Sequence, residues 1–130
     1  MKNEDQQFSL LNDIEVHEFL YEKEDIVRPH ASLWGDFNFS LNGILEMQVE
    51  EQIYLSPPSY GLWIPPQTVH QSTHIDHEIH YICIRLHPRL CSILGNVCKC
   101  FSIQPFFRTL VLQILEQQKQ RWIRKFEQHL

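Results

Sequence analysis

Ser56-Pro57-Pro58-Ser59-Tyr60-Gly61-Leu62-Trp63-Ile64-Pro65-Pro66-Gln67-Thr68-Val69-His70 is the stretch whose reading decides the fold. It holds four of the seven prolines and sets a short apolar run, Leu62 to Ile64, between two Pro-Pro pairs. Proline has no N–H to give to a strand ladder, so both pairs belong at strand ends. The reading is turn, short buried strand, turn, strand, with His70 on the last strand and able to aim its side chain into a barrel.

Upstream, Gln52 to Leu55 reads as a short strand entered from a turn at Glu50-Glu51. Ile44 to Val49 is the return strand of Trp34 to Leu41, the two joined by Asn42-Gly43, the strongest short hairpin signal in the chain. Successive strand residues point to opposite faces, so Trp34, Asp36, Asn38 and Ser40 share one face and Phe37, Phe39 and Leu41 the other. One face is polar with a tryptophan and the other is greasy. Ile14 to Tyr21 alternates as a strand, Ile26 to His30 is extended with Pro29 biasing Arg28 away from helix, and Met1 to Leu11 fits a short leading helix or a loose arm.

Downstream, Thr68 to Thr73 continues the strand that carries His70, and Ile79 to Leu86 is a long apolar strand containing His80 and Arg85. Pro88 opens a short helix over Arg89 to Leu94, which Gly95-Asn96 stops. Val97 to Ile103 is one more strand. Pro105 then starts a long helix toward Leu130, with Phe107, Leu110, Val111, Ile114 and Leu115 at helical spacing and Trp122 and Phe126 extending the stripe. Short strands with turn signals every 8 to 12 residues or so predict a mainly β sandwich or barrel. The apolar stripe of the last helix must be buried on the outside of that barrel or on a second copy of the chain.

A length of 130 residues fits one domain, and 43% hydrophobic residues supply a core. The net charge of −5 lacks the positive field that a phosphate-binding surface needs, so DNA binding by this chain alone is not expected. The first residues are polar rather than signal-like, and no apolar run reaches the roughly 20 residues that span a bilayer. A cytoplasmic protein with no membrane partner is the expectation. Cys83, Cys91, Cys98 and Cys100 then read as reduced, buried or half-buried structural thiols. The Lys119, Arg121, Arg124 and Lys125 group reads as a solvated basic face of the helix.

His30, Asp36 and His70 recur in half-buried strands, with His74 on the face of His70. Two imidazoles and a carboxylate converging inside a barrel suit a divalent metal such as Zn, Ni, Fe or Mn; they equally suit a hydrogen-bonded pocket without metal. His70, His74, His77 and His80 also form a loose tract around Asp76 and Glu78, which reads as a solvated loop, an adventitious or regulatory metal site, or a pH-sensitive loop. Trp34, Trp63 and Tyr60 are large aromatics near strand ends that either fill the core or line a small-molecule pocket. The sequence contains no Gly-rich phosphate loop and no arrangement of a nucleophile elbow.

Arg28-Pro29-His30-Ala31-Ser32-Leu33-Trp34-Gly35-Asp36 with Ser40-Leu41-Asn42-Gly43-Ile44-Leu45-Glu46 resembles the first cupin motif. The form is that of the N-terminal effector domains of AraC-type transcriptional regulators. Pro57 to His70 resembles the second motif of the same group. Lys99-Cys100-Phe101-Ser102-Ile103 with Phe106-Phe107-Arg108-Thr109-Leu110 is similar to the link that follows the barrel there. The resemblance spans roughly Ile26 to Leu115.

It implies a cupin double-stranded β-helix over 1–103 with a short N-terminal arm, and a helical segment over 104–130 in the same domain that serves dimerisation. Matched one position at a time, His30 stands at the first metal-binding histidine, Ser32 where the second would be, Asp36 at the acidic position and His70 at the histidine of the second motif. Gln67 replaces a usual glycine. Ser32 leaves a metal set of His30, Asp36 and His70 at most, which favours an organic effector held by Trp34, Asp36, Trp63 and His70. The expected function is the small-molecule-sensing and homodimerising domain of an AraC-type regulator, not an enzyme. DNA would be reached only through a helix-turn-helix part beyond this chain. A metal-dependent dioxygenase or isomerase of the cupin type is the alternative.

Overall fold

Alternation of apolar and polar residues produces nine strands among the residues that the structure, a computed structural model, describes: 13–72, 75 and 77–128. The leading arm, His74 and the last two residues lie outside the described residues, as do the side chains of Trp122 and Phe126. In chain order the strands are β1 (Ile14–Tyr21), β2 (Val27–His30), β3 (Gly35–Ser40), β4 (Leu45–Val49), β5 (Gln52–Ser56), β6 (Tyr60–Ile64), β7 (His70–Ser72), β8 (Ile79–Leu86) and β9 (Lys99–Ser102). Two helices among the described residues are α1 (Pro88–Cys91) and α2 (Pro105–Gln128). Strands β1-β8-β3-β6-β9 make one antiparallel sheet and β2-β7-β4-β5 the other, a jelly-roll-like sandwich.

The five-stranded sheet is covered on both sides, and all six residues of β3 are buried. Its outer face presents Val16, Phe37, Phe39, Trp63, Ile82 and Ile84, and these pack with Val111 and Leu115 of α2. Its inner face presents Leu62, Ile64, Tyr81 and Cys83 toward Leu45, Met47 and Val49 of the second sheet. Fully burying one Phe or Leu contributes about 1.5–3 kcal/mol, so each face is a substantial core. The greasy side of β3 therefore belongs to the helix, and its polar side, Asp36, Asn38 and Ser40, is turned into the sandwich.

Of the two surfaces open to the helix stripe, a second copy or the outside of the barrel, Val111 and Leu115 take the latter and are buried on the chain's own sheet. Arg108 helps to fix the helix there. Its guanidinium donates to the carbonyls of Ser40 (2.9 Å), Leu41 (3.3 Å) and Pro58 (3.0 Å) and lies near the ring of Phe39. Hydrogen bonds to a charged group contribute about 1.5–3 kcal/mol each, so this clasp matters to how the helix sits. Phe106, Leu110 and Ile114 remain exposed beside the buried stripe.

Asn42-Gly43 does not close a hairpin. β3 and β4 lie in different sheets, and β3 pairs with β8 and β6 instead. The asparagine side chain is taken by a distant partner: Oδ1 accepts from the His80 N–H (2.7 Å) and Nδ2 donates to the Glu78 carbonyl (2.9 Å). Gly43, at φ 66°, redirects the chain to the second sheet. The true two-residue hairpin is the Glu50-Glu51 turn between β4 and β5.

The predicted helix over Arg89 to Leu94 is only Pro88–Cys91; the Leu94 and Gly95 N–H groups both bond to the Cys91 carbonyl and close it early. Cys83 and Cys91 are buried as expected, Cys98 is half-buried, and Cys100 is exposed on the edge strand β9.

Besides the strand pairings, a loop contact ties the two motif segments: the Gln67 N–H donates to the Ser32 carbonyl at 2.7 Å. Gln67 holds φ at 60°, a left-handed conformation that costs a side-chain-bearing residue roughly 1–2 kcal/mol. Gln67→Gly is expected to raise stability by up to about 1 kcal/mol in urea unfolding, with the larger freedom of glycine in the unfolded chain offsetting part of the relief.

Candidate ligand-binding site

Two cross-strand pairs facing into the sandwich build the site. On the five-stranded sheet the register sets Asp36 opposite Arg85, with Asn38 opposite Cys83 one step along. On the four-stranded sheet it sets His30 opposite His70. Side chains two apart on a strand share a face, so β8 contributes Tyr81, Cys83 and Arg85 together. These residues, with Phe19, Tyr21, Ala31 and Met47, line a cavity of about 230 Å³.

Arg85 Nε lies 3.8 Å from Asp36 Oδ1, a charge pair too long for a hydrogen bond. The guanidinium carbon sits 4.5 Å from the centre of the Trp34 ring, so the tryptophan face covers the cation. The His30 and His70 rings meet edge to face with centroids 4.2 Å apart. Each Nδ1 bonds to the backbone carbonyl two residues back, Arg28 for His30 and Thr68 for His70, both at 3.0 Å. A carbonyl only accepts, so each Nδ1 carries a proton, and a neutral ring keeps its lone pair at Nε2.

His70 is 5% exposed, and burial lowers its pKa to about 4, with the bond to the Thr68 carbonyl working against that fall and the nearby His30 adding to it. It is neutral at ordinary pH. Burial also pushes the Cys83 thiol well above its usual range, so Cys83 is an inert lining group rather than a nucleophile.

A second, larger cavity of about 470 Å³ adjoins the first, and Tyr21, Met47 and Tyr81 line both. Its remaining walls are mostly apolar, including Val27, Leu45, Leu55, Ile75 and Ile79, with Glu46, Ser72 and His77 at the polar positions. Phe19, Tyr21 and Tyr81 stack on one another with centroids 5.3–6.4 Å apart and stiffen the shared wall.

The sequence-predicted residues thus separate. His30, Asp36 and His70 line one cavity. Trp34 stands behind it, against Arg85. Trp63 is fully buried on the opposite face of the sheet, packs in the core under α2, and donates its indole N–H to the Gly95 carbonyl at 2.9 Å. It does not line the cavity. Ser32, at the missing histidine position, is buried and bonds to the Trp34 carbonyl.

The metal set fits poorly. Asp36 faces the Arg85 cation, and among the described residues no group of three or more His, Cys, Asp or Glu side chains is placed to hold a metal ion. His74 lies outside the described residues. Arg85, Asn38 and Tyr81 are site residues that sequence reasoning passed over. The available signal was the period-2 set Tyr81, Cys83, Arg85 inside an otherwise apolar strand.

No protein-family model matches the chain, and no curated protein does. Solved structures share its fold. ToxT from Vibrio cholerae O395 bound to (E)-4-(8-methylnaphthalen-1-yl)but-3-enoic acid superposes with a TM-score of 0.60 at 9% identity, covering 82% of this chain and 48% of that one. Unsaturated-fatty-acid-bound ToxT from V. cholerae strain SCE256 gives 0.58 at 10%, covering 79% and 46%. The conserved SPY1581 protein from Streptococcus pyogenes, of unknown function, gives 0.52 at 15%, covering 60% and 68%. At these identities the similarity is one of fold. The chain spans just under half the length of the ToxT chains. No helix among the described residues is long and apolar enough to cross a membrane.

The depressed pKa of His70 makes stability depend on pH. The unfolded chain takes up this proton near 6.5, the folded chain only near 4. His70's contribution is therefore full above 6.5 and erodes as pH falls toward 4, by on the order of 3 kcal/mol across the window. Urea unfolding at a series of pH values is expected to show this loss in the wild type and a flatter profile in His70→Phe.

Proposed function

We propose that this chain is the small-molecule-sensing domain of an AraC-type transcriptional regulator. The observation that carries the reading is the pair of adjoining chambers of the sandwich, one mostly apolar and one lined by two cross-strand polar pairs. Ligand sites of this kind are mostly apolar with a few placed polar groups that fix orientation. The motif resemblance points the same way, and so does the fold shared with ToxT, which has been solved with an unsaturated fatty acid and with a naphthyl butenoic acid. The effector is then a small amphipathic molecule, and DNA is bound by a part of the regulator other than this domain.

Signal would leave the cavity along β3. Asp36 and Asn38 line the polar chamber, and two residues further on the carbonyls of Ser40 and Leu41 hold Arg108 of α2. An effector that shifts β3 biases the seat of the helix, which is the two-state element a sensor needs. The helix also offers the homodimer contact, now assigned to the exposed Phe106, Leu110 and Ile114 rather than to the buried Val111 and Leu115.

Two experiments test this. Thermal unfolding against alcohols, phenols and fatty acids with apolar tails should find stabilising ligands, with about 2.7 kcal/mol gained at roughly 100-fold the Kd. Val27→Trp, which narrows the larger chamber, should abolish the gain while the protein stays folded. Absence of any stabilising compound overturns the sensor reading. Sedimentation should show a wild-type dimer and a monomer for Leu110→Glu with Ile114→Glu; a wild type that stays monomeric at high concentration removes the dimer assignment.

A further inference from the structure

Among the described residues that line the polar chamber, Asp36 is the one carboxylate and Arg85 the one guanidinium, set opposite each other by the strand register. Their charges balance across 3.8 Å, and the Trp34 ring covers the guanidinium face. On the facing sheet the His30 and His70 rings spend their Nδ1 protons on backbone carbonyls. With Nδ1 so engaged, the acceptor that an imidazole ring can still offer is the Nε2 lone pair, which needs a donor.

An incoming carboxylate would place a second anion beside Asp36, where Arg85 is the one cation among the described lining residues and already faces Asp36. That leaves a net buried negative charge next to two imidazole lone pairs, a costly arrangement without proton uptake. An incoming hydroxyl has no such cost. Its O–H donates to an Nε2 and its oxygen accepts from the Arg85 fork or the Asn38 amide, both of which line the chamber. The wall it must pass is formed partly by Met47, an unbranched and adaptable side chain.

We infer that the effector is an uncharged amphipathic molecule that ends in a hydrogen-bond-donating head, a hydroxyl or phenol above all, held between the His30–His70 pair and the Asp36–Arg85 pair with its apolar body in the larger chamber. The inference rests on the sensor reading and goes further, because it sets this chain apart from a carboxylate receptor of the same fold.

The test is calorimetric binding near neutral pH of three probes with one shared body: para-pentylphenol, para-pentylbenzoate and para-pentylanisole. The phenol should bind roughly tenfold or more tighter than both the others, since the benzoate adds a charge and the anisole lacks the donor. His70→Phe keeps a flat ring and removes the lone pair. It should weaken the phenol by about tenfold and leave the anisole unchanged. His30→Phe, at a less buried position, gives the same readout if His70→Phe does not fold. Benzoate binding equal to or tighter than phenol, or a phenol preference unmoved by either variant, overturns the inference and leaves the sensor reading standing. Binding of none of the probes, together with a failed wider ligand panel, overturns the sensor reading itself.

Discussion

Burial of strand β3 on both faces is the constraint on which the rest of the structure depends. A strand in the middle of a two-sided sheet has no solvent in which to leave polar side chains, so each must find a partner inside the protein. Phe37 and Phe39 find theirs under α2. Asp36 finds Arg85 directly across from it on β8. The helix is needed because without it the outer face would be an exposed apolar sheet, and the polar cavity exists because the inner face of the same strand carries Asp36 and Asn38.

Close approach of backbone to side chain makes this packing possible. A β-carbon added at Gly61 would fall 2.1 Å from the Phe37 ring, and one at Gly35 would fall 2.1 Å from the Trp63 ring. Both glycines thus make room for the aromatic layer beneath the helix. The same layer explains why Trp63 is a structural residue. Its ring fills the outer core and its indole N–H reaches over to hold the turn after α1 at Gly95.

The interior is graded rather than uniform. Apolar walls give way, across the Tyr21–Met47–Tyr81 boundary, to two polar pairs contributed one by each sheet. Since each pair comes from a strand register, the polar end is preorganised by backbone hydrogen bonding and does not rely on mobile loops. The pair on the five-stranded sheet is in turn only a few residues along β3 from the carbonyls that clasp Arg108, so cavity and helix share one rigid strand.

Much of the architecture was legible from local pattern. Alternation along Ile14–Tyr21 and Gly35–Ser40, proline pairs at 57–58 and 65–66, and the helical stripe after Pro105 placed the elements, because side-chain periodicity and the missing proline N–H act within a few residues. His30, Asp36 and His70 were legible as inward polar groups for the same reason. What tertiary structure alone decided was partnership. Asn42-Gly43 carries a hairpin signal, yet the Asn42 amide bonds to His80 and Glu78, residues far along the chain, and β3 joins the other sheet. Arg85 looked like a stray charge in an apolar strand until the register put it opposite Asp36. Val111 and Leu115 had the spacing of an interface, but the spacing of a stripe does not say which surface covers it. Period and turn chemistry determine which residues point inward together; only the pairing of distant strands decides what they meet there.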